Sequence, residues 1–293
     1  MKMIETLKLG VKLFDLLIPE GIPRNTLIII RGEPGTGKVS LLTEIAYRTL
    51  KLSEPVIMVV YGQTPLSLFQ RFLSHGWNIS DALKGGKIVF LDGFSTRFRK
   101  QETGVQYPIV KETYEQLKRA HKLIDNPQDI HEIFSEIIEN ATQLKMLSRG
   151  VILIDSLIEM LTLIPKEQVL EFIRRLRVYI AKDLWVPIFF GASVGLMEDF
   201  YLLLDYMVDG AIDIRFHPKL LDKGILVREI RVRKLPAKTV PLWVPFKIEK
   251  GKGATPLVSK EKIEEKLAEY MEKVARLEEF EKEEKIKPSD YEI

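Results

Sequence analysis

The sequence predicts an α/β domain of three layers, in which helices cover both faces of a mainly parallel central sheet. Short apolar runs rich in β-branched residues alternate with amphipathic helical segments, and a glycine-rich loop joins the first run to its helix. Such alternation is typical of parallel sheets. A late series of apolar runs joined by turns predicts an antiparallel extension of the same sheet.

The apolar runs define the predicted strands of the parallel part. They are Leu27–Ile30, Val56–Tyr61, Lys87–Leu91, Val151–Ile154 and Pro187–Phe190. Apolar residues at helical spacing predict the helices between them. One follows Lys38 as far as Leu50, and the others are Leu66–Ser74 and Gln168–Ala181. The predicted antiparallel strands are Val208–Arg215, Ile225–Lys234 and Pro245–Ile248.

One long segment interrupts this alternation. Phe94–Gly150 exceeds the length of a single crossover and predicts a helical insertion. It holds a charged loop, Arg97–Gln106, and helical stretches around Pro108–Leu123 and Ile130–Leu147. We expect one domain over residues 1–250 that contains this insertion at 94–150.

The remaining residues, 251–293, predict a charged C-terminal helical tail. The helix spans Ser259–Lys285, with Ser259 as its N-cap. Its apolar residues recur in alternating four- and three-residue steps, which is the spacing of an a/d seam. They are Ile263, Leu267, Tyr270, Val274 and Leu277. We expect this seam to pack on its own domain or on a sister subunit.

The composition excludes several classes of protein. The 293 residues are 46% hydrophobic and contain no long uncharged apolar run, which argues against a transmembrane helix or a membrane partner. Met1–Gly10 lacks the apolar core of a signal peptide, so we expect a cytoplasmic protein. The absence of cysteine excludes disulfides, zinc–thiolate sites and cysteine nucleophiles. A net charge of +3 makes a nucleic-acid partner unlikely on these grounds.

The most informative motif lies between the first strand and its helix. Gly32, Gly37 and Lys38 complete the G-x-x-x-x-G-K frame of a phosphate-binding P-loop. In such a loop, backbone N–H groups and the helix N-terminus face the phosphates, and the lysine reaches the β- and γ-phosphates. The candidate nucleotide-binding residues are Gly32, Glu33, Pro34, Gly35, Thr36, Gly37, Lys38, Val39 and Ser40.

One position of this motif departs from the pattern. The residue after the lysine is normally Ser or Thr, whose hydroxyl holds Mg²⁺, but Val39 has no oxygen. Ser40, one position further on, can still hydrogen-bond an inner phosphate. A second metal-linked residue is Asp155, which follows the apolar run Val151–Ile154 as in a Walker B strand. It would hold Mg²⁺ weakly, through water.

Taken together, these motifs resemble the KaiC-like branch of the RecA superfamily of P-loop ATPases, from about Leu9 to Ile248. The carrying segments are Gly10–Leu17, Gly21–Pro23, the P-loop, Val59–Pro65, Gly76–Trp77, Ile154–Ser156 and Glu229–Lys234. The resemblance implies a RecA-like three-layer domain that binds ATP or ADP. It also implies that Arg231 and Arg233 match a basic pair that reaches the neighbouring subunit's nucleotide in ring-shaped relatives. The other interpretation of this pair is a solvated sheet face.

The same family places its catalytic acidic residues at the end of the second strand, before Thr-Pro. Here Gly62 and Gln63 precede Thr64 and Pro65, so both carboxylates are missing. Gln63 can orient a water molecule, but an amide cannot accept its proton as a general base. The base and one metal ligand are therefore absent, and we expect no catalytic residue at these positions.

These features predict a nucleotide-binding protein with a regulatory or scaffolding role, weakly held Mg²⁺, little or no hydrolysis and a tendency to self-associate. The first alternative is an active ATPase with a rewired site, for which Glu33 and Glu198 are candidate acidic residues. The second is a DNA-binding recombinase paralogue, favoured only by Arg97, Arg99 and Lys100. The third is a vestigial site in a protein that only assembles.

Overall fold

The structure is a computed structural model that describes residues 5–98, 115, 117–195 and 198–286. At its centre lies a ten-stranded sheet with helices on both faces. A separate small sheet pairs β1 (Thr6–Leu7) with β2 (Ile22–Pro23). This architecture confirms the predicted three-layer α/β fold.

The main sheet joins strands from almost the whole chain. They are β3 (Leu27–Gly32), β4 (Val56–Val60), β5 (Ile88–Asp92), β6 (His121–Leu123), β7 (Val151–Asp155), β8 (Ile188–Ser193), β9 (Gly210–Phe216), β10 (Arg228–Lys234), β11 (Val244–Glu249) and β12 (Gly253–Pro256). Their order is β12-β11-β10-β9-β3-β8-β7-β4-β5-β6. The strands from β9 to β6 in this order pair in parallel, and β10, β11 and β12 add the antiparallel extension.

The helices lie between the strands as the sequence predicts. They are α1 (Lys12–Leu17), α2 (Lys38–Lys51), α3 (Pro65–Ser74), α4 (Ser80–Lys84), α5 (Ile130–Gln143), α6 (Leu157–Leu161), α7 (Lys166–Arg175), α8 (Glu198–Met207), α9 (Pro218–Leu221) and α10 (Lys260–Ile286). A π-helix, Leu176–Lys182, continues α7.

Two hydrophobic cores cover the two faces of the sheet. Because successive side chains of a strand point to opposite faces, Ile28 and Ile30 of β3 join the core beneath α2 and α3. Leu27 and Ile29 join the other core, beneath α5 and α7. Strands buried on both faces are continuously apolar, and for this reason the central strands were readable from the sequence.

One edge of the sheet differs from the prediction. His121–Leu123 forms β6, although the sequence placed the end of a helix there. Its pairing with β5 brings His121 Nε2 to 2.8 Å from Asp92 Oδ2, and the Asp92 carboxylate is fully buried. The helical prediction is wrong here because pairing with a distant strand overrides local periodicity. The rest of the predicted charged loop, Arg99–Gln106, lies outside the described residues.

The opposite edge extends beyond the predicted strands. β12 pairs with β11, so the predicted start of the tail, residue 251, lies inside a hairpin of the sheet. This hairpin packs on α2, where the buried Glu44 carboxylate accepts a hydrogen bond from Ala254 N at 2.6 Å. Gly253 has φ +80°, and a Cβ at this position would collide with the Glu44 carboxylate.

The tail helix α10 begins after Ser259, whose Oγ accepts a hydrogen bond from Lys262 N at 3.4 Å. Ile263 packs into the core beneath α2, and Leu267 is half-buried. The side chains of Tyr270, Val274 and Leu277 lie outside the described part of the structure, so the rest of the seam stays a prediction. Neither α10 nor another helix within the described ranges is apolar enough over a bilayer's thickness to cross a membrane.

A largely buried carboxylate holds the amino end of the central strands in place. Asp209 accepts hydrogen bonds from Leu27 N at 3.0 Å, Arg177 Nη2 at 2.8 Å and Lys182 Nζ at 2.9 Å. Burial alone would raise the pKa of Asp209, but the hydrogen bonds from Arg177, Lys182 and Leu27 lower it below its ordinary value. Asp209 therefore ties β3, β9 and the π-helix together as an anion.

We expect Asp209→Asn to lower the free energy of unfolding by about 1–2 kcal/mol at pH 7, because it removes a charge from three hydrogen bonds. Since the folded pKa lies below the unfolded one, the stabilisation exists above the unfolded pKa, about 3.9, and is lost as pH falls through the folded value. Urea unfolding at pH 7 and pH 3 measures this, with the exposed Asp183→Asn as control. An equal effect of Asp209→Asn at both pH values would contradict it.

Candidate functional site

The P-loop connects the carboxyl end of β3 to the first turn of α2. Gly37, directly before the helix, has φ +102°, a left-handed conformation that favours glycine. A Cβ at Gly37 would lie 2.6 Å from Ile248 Cδ1 of β11, so space also restricts this position. The exposed tip of the loop consists of Glu33, Pro34 and Gly35.

Polar contacts inside the loop hold its shape. Buried Thr36 donates from Oγ1 to Glu33 O at 2.7 Å. Buried Lys38 donates from Nζ to Gly32 O at 2.7 Å and to Glu33 O at 2.9 Å. Burial lowers the pKa of Lys38, although the charges of Asp155 and Glu33 oppose the shift. Within the described part of the chain, only neutral carbonyl oxygens lie within hydrogen-bond distance of the ammonium group.

The metal position of the loop has an apolar environment. The Val39 side chain packs against the core beneath α2 and has no oxygen to offer to a cation. Ser40 follows in the same helical turn and is half-buried. Within the ranges that the structure describes, no group of three or more His, Cys, Asp and Glu residues is arranged to hold a metal ion.

Asp155 lies where β7 ends and is 6% exposed. Its Oδ2 accepts a hydrogen bond from Gln63 Nε2 at 3.0 Å. Burial raises the pKa of Asp155, while the Gln63 hydrogen bond and the charges of Arg71 and Lys38 oppose the rise. The neutral Gln63 amide is therefore bonded to one oxygen of the Asp155 carboxylate, the group that the sequence predicts to hold Mg²⁺.

An acidic residue that was not predicted from the sequence, Glu159, lies beside Gly62. A Cβ at Gly62 would lie 3.4 Å from Glu159 Cγ of α6, and the charge of Glu159 contributes to the raised pKa of Asp155. Glu159 Oε2 lies 3.8 Å from Arg97 Nη1. Of the two acidic candidates predicted from the sequence, Glu33 is exposed on the loop, and the Glu198 side chain is outside the described part. No local motif marks Glu159, because only the tertiary fold brings α6 next to Gly62.

Arg231 and Arg233 lie on the opposite face of β10 from Ile230 and Val232, as the period of a strand requires. Both arginines pair with Asp213, at 3.2 Å and 3.3 Å respectively. Arg233 also pairs with Asp205 of α8 at 2.5 Å, and Arg31 pairs with both aspartates at 2.8–3.1 Å. The predicted basic pair is thus held by carboxylates of its own chain, and its predicted contact with another subunit's nucleotide stays a prediction.

Two other arginines near the P-loop were not found from the sequence. Arg71 of α3 is close enough for its charge to lower the pKa of Asp155, and Arg228 of β10 donates from Nη2 to Gly35 O at 3.2 Å. The Nε atoms of both are buried without a hydrogen-bond partner. The site therefore fits an anion such as a phosphate, while its donor set for a divalent cation is incomplete.

Comparison with known proteins places this geometry in a wider context. A family model described as "ATPase: KaiC" matches residues 7–261. A "UPF0273 protein" from Thermotoga maritima is 30% identical over 123 residues, which cover 40% of this chain and 51% of that protein. Another from Sulfurisphaera tokodaii is 31% identical over 128 residues, covering 43% of this chain and 41% of that protein. The chain spans about half the length of these relatives.

A solved structure has the same fold. The crystal structure of a KaiC-like protein from the hyperthermophilic archaeon Pyrococcus horikoshii matches with a TM-score of 0.66 at 18% identity. The match covers 87% of this chain and 100% of that one. At this level of identity, the likeness establishes the architecture alone.

We expect Gln63→Glu to make the thermal stability of the protein respond to Mg²⁺. The substitution places a second carboxylate beside buried Asp155, and two like charges at this distance are relieved by proton uptake or by a divalent cation. The variant should melt below the wild type in EDTA and regain several degrees in millimolar MgCl₂.

Gln63→Ala is the matched control, because it removes the amide donor without adding a charge. It should melt below the wild type and show no response to Mg²⁺. An equal Mg²⁺ response of wild type, Gln63→Ala and Gln63→Glu would contradict the assignment of Gln63 as the residue that replaces the metal.

Proposed function

The chain belongs to the KaiC family of ATPase domains, and from this premise we propose that it binds an adenine nucleotide, ATP or ADP, with little dependence on Mg²⁺. We further propose that it hydrolyses the nucleotide slowly or not at all, so that the nucleotide acts as a regulatory ligand. The observation that carries the proposal is the complete loop around Lys38 beside an Asp155 carboxylate already bonded to Gln63.

The loop supports the binding part of this proposal. Among the described residues, Lys38 is bound only to the carbonyl oxygens of Gly32 and Glu33, which a phosphate can replace as acceptors. A hydrogen bond between ammonium and phosphate joins two opposite charges and is stronger than the bonds to neutral carbonyl oxygens that it replaces. The N-terminus of the 14-residue helix α2 adds its dipole at the same place.

The absence of a base and of a metal ligand supports the low rate of hydrolysis. General-base catalysis contributes ~10²–10⁴ to a rate, and Gln63 cannot provide it. Metal coordination adds stabilisation of transition-state charge, and Val39 removes one ligand. A nucleotide that stays bound without being hydrolysed stabilises the conformation or assembly to which it binds most tightly.

Self-association belongs to the same proposal. α8 exposes three large apolar side chains, Leu202, Leu203 and Tyr206, at 61%, 52% and 87%. The Arg31–Asp205–Asp213 ion pairs lie beside this helix and give the face a polar border. An apolar patch with a polar border is typical of an interface between protein chains.

A specific observation favours a second candidate function, an active ATPase with a rewired site. Glu159 brings a carboxylate from α6 to the space beside Gly62, where the resemblance places a catalytic acid. This carboxylate is half-exposed, and it is near enough to Asp155 for its charge to raise the pKa of that residue. Glu159 would then accept the proton of the attacking water, and Gln63 would orient that water.

We expect ATP to bind with similar affinity in EDTA and in MgCl₂, because Lys38 and backbone N–H groups bind the phosphates and Val39 holds no metal. Isothermal titration in the two buffers measures this. Lys38→Ala should weaken binding about tenfold or more by removing a charge-assisted hydrogen bond. Lys51→Ala, at the far end of α2, is the control. A large gain of affinity with Mg²⁺, or no binding in either buffer, would count against the proposal.

Phosphate release should be far slower than the ~1 s⁻¹ at the low end of ordinary enzymes. The double variant Val39→Thr/Gln63→Glu should be faster, since it restores the metal ligand and the carboxylate. If the wild type turns over at an ordinary rate and Glu159→Gln abolishes that turnover without changing ATP affinity, the second candidate function replaces the first.

A further inference from the structure

β10 carries arginines on both of its faces, and only one of these faces meets the P-loop. Ile230 and Val232 join the core beneath α2, and strand period places Arg228 on their side. Arg231 and Arg233 point to the other face, toward Asp213. Arg228 therefore shares its face with α2 and with the loop that precedes this helix.

Contacts with the loop fix the position of Arg228. Its Nη2 donates to Gly35 O at 3.2 Å, and its Nε lies 3.7 Å from where a Cβ of Gly37 would stand. Its guanidinium carbon lies 5.9 Å from the centre of the Phe216 ring, on the neighbouring strand β9. Phe216 itself lies 3.9 Å from where a Cβ of Gly35 would stand, so the ring and the guanidinium flank the same loop.

Arg228 also differs from the other arginines of these two strands in its partners. Arg215 pairs with Glu229, and Arg231 and Arg233 pair with Asp213. Among the described residues, Arg228 forms no ion pair, and its buried Nε has no hydrogen-bond partner. A buried donor without an acceptor is rare in proteins and destabilises the fold unless a partner is bound.

We propose that Arg228 binds a phosphate group of the nucleotide in the P-loop of its own chain. This rests on the proposed function and adds the charge compensation that the function requires. A polyphosphate without its metal brings several negative charges into the loop, and Lys38 supplies one positive charge. Arg228 supplies another, and its fork of N–H groups suits phosphate oxygens better than the neutral Gly35 carbonyl.

Arg228 also accounts for how the loop can bind phosphates although Val39 offers no hydroxyl to a metal ion. In related loops a hydroxyl holds Mg²⁺, and the cation neutralises part of the phosphate charge. Here an arginine fixed by β10 takes part of that role. The Phe216 ring, whose centre lies 5.9 Å from the guanidinium carbon, restricts the movement of the Arg228 side chain and so lowers the conformational entropy lost on binding.

Titrations in EDTA with ATP, ADP and inorganic tripolyphosphate test the inference. Arg228→Gln should weaken binding of ATP and tripolyphosphate about tenfold or more, and Arg228→Lys should recover part of that loss. Arg215→Gln, on the other face of the sheet, should change the affinities less than twofold. A comparison of the losses for ATP and ADP shows which phosphate Arg228 contacts.

Ligand-free melting separates a binding role from a structural one. Arg228→Gln should melt at or above the wild-type temperature, because the variant removes a buried donor that lacks an acceptor. Unchanged affinities in Arg228→Gln would overturn the inference, as would lost binding that accompanies a lower melting temperature and is not recovered by Arg228→Lys. If tripolyphosphate binds through Arg228 and ATP does not bind, the phosphate-binding role of Arg228 is supported and the proposed adenine-nucleotide ligand is refuted. A wild type that binds none of the three probes would refute both.

Discussion

The site depends on the balance of charge between two buried groups at the carboxyl edge of the sheet, Lys38 and Asp155. Burial disfavours the charged form of each, lowering the pKa of Lys38 and raising that of Asp155. Neither group has an ionic partner within hydrogen-bond distance among the residues that the structure describes. Lys38 is bonded to carbonyl oxygens, and Asp155 is bonded to the Gln63 amide. The positive charge of Lys38 is therefore not balanced by a hydrogen-bonded carboxylate, and an anion in the loop would balance it.

Much of the fold was predictable because its information is local. β3, β4 and β7 are buried on both faces and appear in the sequence as unbroken apolar runs, and the P-loop has a fixed spacing of glycine and lysine. β6 and β12 were not predicted, because a strand of three or four residues has too few side chains for a period and is formed by its partner strand.

The site was predictable to a similar extent, and for the same reason. Lys38, Val39, Gln63 and Asp155 follow from motifs, whereas the hydrogen bond between Gln63 and Asp155 joins residues 92 positions apart. Arg228 and Glu159 reach the site from β10 and α6, which carry no motif at these positions. The arginines of β10 are visible in the sequence, but the face of the strand that meets the loop is set by the tertiary fold.

The antiparallel extension connects this loop to the end of the domain. Ile248 of β11 lies beside Gly37, directly before α2. Ala254 N of β12 donates a hydrogen bond to the buried Glu44 carboxylate of α2. Burial raises the pKa of Glu44, whereas the Ala254 hydrogen bond and the Arg48 charge oppose the rise. The Glu44 carboxylate therefore links α2 to the β11–β12 hairpin. α10 follows this hairpin directly, with Ile263 in the core beneath α2. The loop precedes the amino end of α2, while the hairpin and the tail pack along the same helix. Under the proposed function, the phosphates would meet α2 at its amino end, and α2 is the element that joins the loop to the hairpin and to the start of α10.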